Sequence, residues 1–144
     1  MGFRPEAIRG VGVDAAGAVD YRLLRMSIVA DYRKKRLDRD EVCDAHPELV
    51  RAAREVGEPT RLECPICEEA KVVLVTYVFG PRLPPYGRCV TTRAEMRALS
   101  TRTDELAAYV VEVCPNCSWN HLARVLPVGG GRSVSAPRRA RPAR

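Results

Sequence analysis

The chain has 144 residues, 46% apolar and only 6% aromatic, which admits one modest core with a helical preface and excludes a large multidomain enzyme. No apolar run approaches bilayer-spanning length, so the sequence predicts a soluble protein. The formal charge of +6 is concentrated at one end: residues 1–59 balance 11 basic against 11 acidic side chains, residues 60–127 hold 8 against 7, and residues 128–144 hold 5 arginines and no acid.

Residues 1–18 show no useful periodicity and are expected to be a flexible leader. The glycines of Gly10-Val-Gly-Val-Asp-Ala-Ala-Gly17 lack the preceding strand and following helix that a nucleotide loop requires. The apolar stretch from Val11 to Val19 is broken by Asp14, so no signal peptide is read here. Met26 offers a second start.

Residues 19–58 read as a helical segment. Tyr21, Leu24, Ile28 and Tyr32 recur at three- and four-residue spacing, predicting a helix from Asp20 to about Arg36. Asp38 and Glu41 have the spacing of a capping box and start a short helix carrying Val42 and Cys43. Pro47 suits a first helical position and Gly57 a stop, with Leu49, Val50, Ala53 and Val56 facing inward. Arg51 and Arg54 are offset by Glu48 and Glu55, so a groove-reading basic face is not expected.

From residue 59 to 127 the pattern is strand-rich. Lys71 to Phe79 is a β-branched and aromatic run ending at Gly80-Pro81, and Ala107 to Val113 is a second. Trp119 to Leu126 alternates, placing Trp119, His121, Ala123 and Val125 on one face, with Trp119 buried. Between the long strands, residues 80–106 form an insert: a loop containing Arg82, Tyr86 and Arg88, then a helix of about Arg93 to Leu99 capped by Thr92 and Glu95.

Four cysteines carry the chemistry. Cys64-Pro-Ile-Cys67 and Cys114-Pro-Asn-Cys117 each set two sulfurs on a tight knuckle, and two such knuckles complete a tetrahedral site for one structural zinc ion, Zn2+. A closed four-sulfur sphere leaves no position for substrate, which argues against zinc-dependent hydrolysis. Rubredoxin-type iron sites usually carry glycine after each second cysteine, where Glu68 and Ser118 stand. A thioredoxin-like couple would open a helix, whereas strand-like sequence follows both pairs. The expected fold is therefore α+β, a zinc ribbon of small antiparallel sheet preceded by a short helical segment and followed by a disordered basic tail.

Cys43, His46, Cys89 and His121 could in principle build a second site of two cysteines and two histidines. The simpler reading is packing for Cys43 and His121 and a helix-start position for His46. No nucleophile or paired carboxylate lies near His121 in sequence to make it a general base.

The runs Glu41-Val-Cys-Asp-Ala-His-Pro-Glu-Leu49, Cys64-Pro-Ile-Cys67, Tyr77-Val-Phe-Gly80 and Val110-Val-Glu-Val-Cys-Pro-Asn-Cys-Ser-Trp-Asn-His-Leu122 resemble an actinobacterial family of small uncharacterised proteins, a domain-of-unknown-function family. The resemblance spans about Val19 to Leu126. It implies an actinobacterial source and no particular activity.

The functional expectation is a non-enzymatic zinc-ribbon module in the cytoplasm that docks on a protein or ribonucleoprotein partner of the transcription or translation machinery. Arg132, Arg138, Arg139, Arg141 and Arg144 in the 128–144 tail can add non-specific nucleic-acid contact by neutralising phosphates; a purely solubilising tail is the competing reading. The alternative function is a redox- or zinc-responsive regulator with the four-cysteine site as its switch.

Overall fold

A computed structural model describes residues 12–13 and 17–131 of the protein. The expected tail arginines, Arg132, Arg138, Arg139, Arg141 and Arg144, lie outside the described residues, as does most of the leader.

Chain order runs β1 (Gly12–Val13), β2 (Val19–Asp20), α1 (Arg22–Arg33), α2 (Arg39–Val42), α3 (Pro47–Val56), β3 (Glu58–Glu63), β4 (Lys71–Phe79), β5 (Arg88–Val90), α4 (Arg93–Ser100), β6 (Glu105–Val113) and β7 (Asn120–Gly129). Among the described residues, all seven strands join one antiparallel sheet in the order β1-β2-β7-β6-β4-β3, with β5 also paired to β4. The class is α+β, as expected, but the sheet is larger than the small one anticipated. The leader, anticipated as flexible, supplies strand β1 against β2, and the helical segment is followed at once by strand β3; Val56, the last residue of α3, is exposed rather than facing inward.

The helix boundaries follow local chemistry. In α2 the Glu41 carboxylate accepts from the Asp38 N–H at 3.0 Å. In α3 the His46 Nδ1 accepts from the Glu48 N–H at 3.0 Å, just ahead of Pro47. In α4 the Thr92 hydroxyl accepts from the Glu95 N–H at 3.1 Å and the Glu95 carboxylate from the Thr91 N–H at 3.0 Å. Each bond satisfies a donor that a helix start otherwise leaves open. Helix α1 is shorter than predicted because Lys35 turns left-handed (φ 63°), closing the end with bonds from Lys35 N–H to Tyr32 O and Arg36 N–H to Asp31 O. At Gly57 a side chain would bring its Cβ 2.5 Å from Ala53 O and 2.8 Å from Val73 Cγ2, so glycine is what lets α3 pass directly into β3.

The sheet is covered on both faces. On one, Val72 packs with Val29 of α1 and Val42 of α2, and Val78, Ala108 and Val128 pack with Leu99 of α4. On the other, Val75 and Val113 pack with Ala53 of α3. These faces follow from the two-residue period of β4 and β6.

Strand β7 departs from the predicted alternation. His121 stands opposite Glu112 and Leu122 opposite Val111, but Arg124 stands opposite Val110 and Val125 opposite Tyr109. Ala123 is the extra residue of a bulge. His121 and Val125 therefore lie on opposite faces, because one inserted residue reverses the parity of everything beyond it. The Ala123 carbonyl accepts from the Tyr21 N–H at 2.9 Å, so the bulge also anchors the start of α1.

Candidate metal centre

Both cysteine pairs sit on tight turns at one end of the sheet, the first joining β3 to β4 and the second joining β6 to β7. The two turns repeat one another. Cys64 N–H donates to Ala70 O and Cys114 N–H to Trp119 O, each at 2.8 Å; Glu68 N–H donates to Cys64 O at 3.1 Å and Ser118 N–H to Cys114 O at 3.0 Å. The residue after each second cysteine is left-handed, Glu68 at φ 57° and Ser118 at φ 74°. Glycine is the residue that takes this conformation without steric cost, and neither turn uses it.

The sequence-predicted ligands Cys64, Cys67, Cys114 and Cys117 come together, with all four sulfurs within 4.8 Å of one another. Cys64 Sγ lies 3.6 Å from Cys117 Sγ, and Cys67 Sγ lies 3.7 Å from Cys114 Sγ. A tetrahedron of sulfurs about 2.3 Å from a central zinc ion has edges of about 3.8 Å, so the group is of the size a tetrahedral ion requires. Cys64 and Cys114 are buried, whereas Cys67 and Cys117 are half-buried.

Backbone donors aim at the sulfurs: Ile66 N–H at Cys64 (3.4 Å), Glu69 N–H at Cys67 (3.5 Å) and Cys117 N–H at Cys114 (3.5 Å). The Asn116 amide reaches Cys67 at 3.6 Å. Burial raises the Cys67 thiol, but the Glu69 N–H, the Asn116 amide and the neighbouring sulfurs outweigh it and bring the pKa down to about 7. At Cys117 burial dominates, and with the Cys43 and Cys64 contacts it outweighs the Trp119 backbone bond, pushing the thiol up to about 12. Four thiols this close cannot all ionise without a cation between them, which is the electrostatic condition a metal ion meets.

The helical segment is fastened to the second turn. Ala45 N–H donates to Ser118 O at 3.1 Å, Asn120 Nδ2 to Asp44 Oδ1 at 2.9 Å, and Arg54 Nη2 to Pro115 O at 2.9 Å. Cys43, at the end of α2, has its sulfur 3.5 Å from that of Cys117. No local pattern announces this contact, which joins residues 74 apart in the chain.

Behind the second turn lies a buried polar network. Glu112 accepts from Arg25 Nε at 2.8 Å and Nη2 at 2.7 Å, and from Trp119 Nε1 at 2.8 Å. Trp119 is buried, as expected, and stacks on His121 with ring planes 6° apart. The His121 Nε2–H donates to Tyr21 O at 3.3 Å. Burial holds the His121 imidazole below its ordinary pKa, against the Tyr21 carbonyl and the Glu112 charge.

The second site considered for Cys43, His46, Cys89 and His121 is not assembled. Cys43 meets Cys117, His46 caps α3, Cys89 packs on β5 with the α3 cluster, and His121 is engaged with Trp119 and Tyr21. In the insert, Arg82 pairs with Asp104 at 2.7 Å and Arg88 with Glu95 at 2.9 Å, leaving Tyr86, 79% exposed, as the projecting side chain of that loop. Among the described residues no helix is long and apolar enough to cross a membrane.

No solved structure matches the chain. Uncharacterised proteins of Mycobacterium tuberculosis and Mycobacterium bovis are each 43% identical to it over 120 residues, covering 83% of this chain and 88% of theirs. Residues 14–142 match the family of unknown function DUF5318, a span wider at both ends than the resemblance seen in the sequence. With the paired cysteine turns at the centre of that span, the chain belongs to this actinobacterial family of unknown function.

Proposed function

We propose that the protein is a non-enzymatic zinc-ribbon module of the cytoplasm that docks on a protein or ribonucleoprotein partner of the transcription or translation machinery. The observation that carries the reading is the four-sulfur group at the sheet end, whose sulfurs lie within 4.8 Å of one another. Four protein ligands fill a tetrahedral ion's sphere and leave no position for a reacting water, so the ion's work is to hold the two turns together. Zinc suits this set because it is tetrahedral, takes thiolates and does no redox chemistry of its own. A reducing compartment keeps such thiols available. The insert loop carrying Tyr86 is a contact surface held on this frame, and the tail arginines supply salt-sensitive phosphate contacts.

Sedimentation of the full chain from native lysate, at low salt with and without nuclease, tests the reading. Co-migration with ribosomes or RNA polymerase is expected; migration as a free small protein in every condition overturns it. A second reading, a redox- or zinc-responsive regulator, draws on one observation, the fifth thiol of Cys43 against Cys117.

A further inference from the structure

We propose that Cys43 is an oxidation site of the cysteine centre, forming a disulfide with Cys117 that removes one of the four metal ligands. The proposal rests on the regulatory reading above and names the pair that would do the switching.

The Cys43–Cys117 sulfur separation of 3.5 Å is at least as short as the 3.6 and 3.7 Å contacts within the four-sulfur group. Yet Cys43 is not a member of that group, and a tetrahedral ion has no fifth place for it. It therefore remains a free thiol beside a ligand when the metal is bound.

The contact is built by the fold. Cys43 closes α2 through its N–H bond to Arg39 O at 2.8 Å, and the next two residues are bonded to the second turn, Asp44 to Asn120 and Ala45 to Ser118. The pair also lies on the accessible side of the centre: Cys43 and Cys117 are half-buried, while Cys64 and Cys114 are buried.

The oxidant is a hydroperoxide. The Cys117 thiolate attacks one peroxide oxygen; the O–O bond breaks, leaving a sulfenic acid on Cys117 and releasing hydroxide. The Cys43 sulfur then attacks the Cys117 sulfur, forming the S–S bond and displacing the sulfenic hydroxyl, which leaves as water with the Cys43 proton. Two electrons pass from the two sulfurs to the peroxide. The sulfurs close from 3.5 Å to about 2.05 Å by side-chain movement. Three thiolates then remain, and the ion's hold on the chain weakens.

The test uses the full chain purified with zinc, treated with hydrogen peroxide, with zinc release read by a chromogenic chelator and disulfides mapped by mass spectrometry of unreduced peptides. The expected first product links Cys43 to Cys117, and Cys43→Ala releases zinc about tenfold more slowly at the same peroxide concentration. A first disulfide between any two of Cys64, Cys67, Cys114 and Cys117 overturns the proposal. So does Cys43→Ala releasing zinc at the wild-type rate. Should Cys43→Ala fail to fold, the wild-type peptide map decides alone. Zinc content before peroxide is a separate readout: a folded wild-type chain without metal fails the metal reading, whereas a zinc-bearing chain with a different first disulfide fails only this pair.

Discussion

The Trp119 indole N–H donates to Glu112 Oε2 across 2.8 Å, bridging the strand that enters the second cysteine turn and the segment that leaves it. Arg25 of α1 grips the same carboxylate through two nitrogens. The turn is thus braced from behind by a buried carboxylate with three donors on it, which also ties the first helix to the cysteine-bearing end of the sheet. Removing Glu112 strands the Arg25 charge and the indole donor. Glu112→Ala is expected to cost about 3 kcal/mol, and Glu112→Gln, which still accepts from the indole, less. Urea unfolding followed by the fluorescence of Trp119, the single tryptophan, measures both; equal stability for Glu112→Ala and wild type would show the network to be dispensable.

Losing any one of Cys64, Cys67, Cys114 or Cys117 to serine is expected to abolish bound zinc and melt the turn-bearing end of the sheet, read by metal analysis and circular dichroism. A fully folded, zinc-free variant with all four replaced would sink the structural-metal proposal.

Glu68 and Ser118 sit left-handed at matching positions of the two turns. Replacing either with glycine relieves a conformation that costs a side-chain-bearing residue about 1–2 kcal/mol, offset in part by the greater freedom of glycine in the unfolded chain. Glu68→Gly and Ser118→Gly are each expected to raise the unfolding midpoint. A lowered midpoint for both would contradict the strain argument.

Burial holds His121 below the ordinary imidazole pKa of about 6.5. The unfolded chain therefore binds its proton first as pH falls. The contribution of His121 to stability is complete above about pH 6.5 and declines as pH drops from there through the folded value. NMR titration of the ring is expected to place its midpoint below 6.5; a midpoint above it reverses the sign.

The Tyr21 hydroxyl is buried without a hydrogen-bond partner among the described residues. Tyr21→Phe removes an unsatisfied polar group while keeping the ring, so stability is expected to be unchanged or to rise by about 1 kcal/mol. A loss of more than that in thermal melting would reveal a partner for the hydroxyl.

The elements that local chemistry can specify were readable in advance. Pro47 with His46 before it, Thr92 with Glu95, and the β-branched run of β4 each act within a few residues, and the structure places α3, α4 and β4 where those signals stand. Strand β3 was not readable: Glu-Pro-Thr-Arg-Leu-Glu is polar and largely exposed, and it becomes a strand because β4 supplies its hydrogen bonds. Likewise the bulge at Ala123 has no signature of its own, since the Tyr21 N–H that takes its carbonyl arrives from 102 residues earlier.

The same division runs through the site. Two Cys-x-x-Cys pairs name four candidate ligands from spacing alone, because each pair sets its sulfurs within one turn of backbone and two such turns suit the geometry of a tetrahedral ion. Spacing is silent on how far other side chains come to that centre. Cys43 lies against Cys117, Arg25 reaches Glu112 and Arg54 clamps Pro115 across separations of 74, 87 and 61 residues. Contacts of that range depend on the packing of α1, α2 and α3 around the sheet, and no periodicity along the chain encodes them.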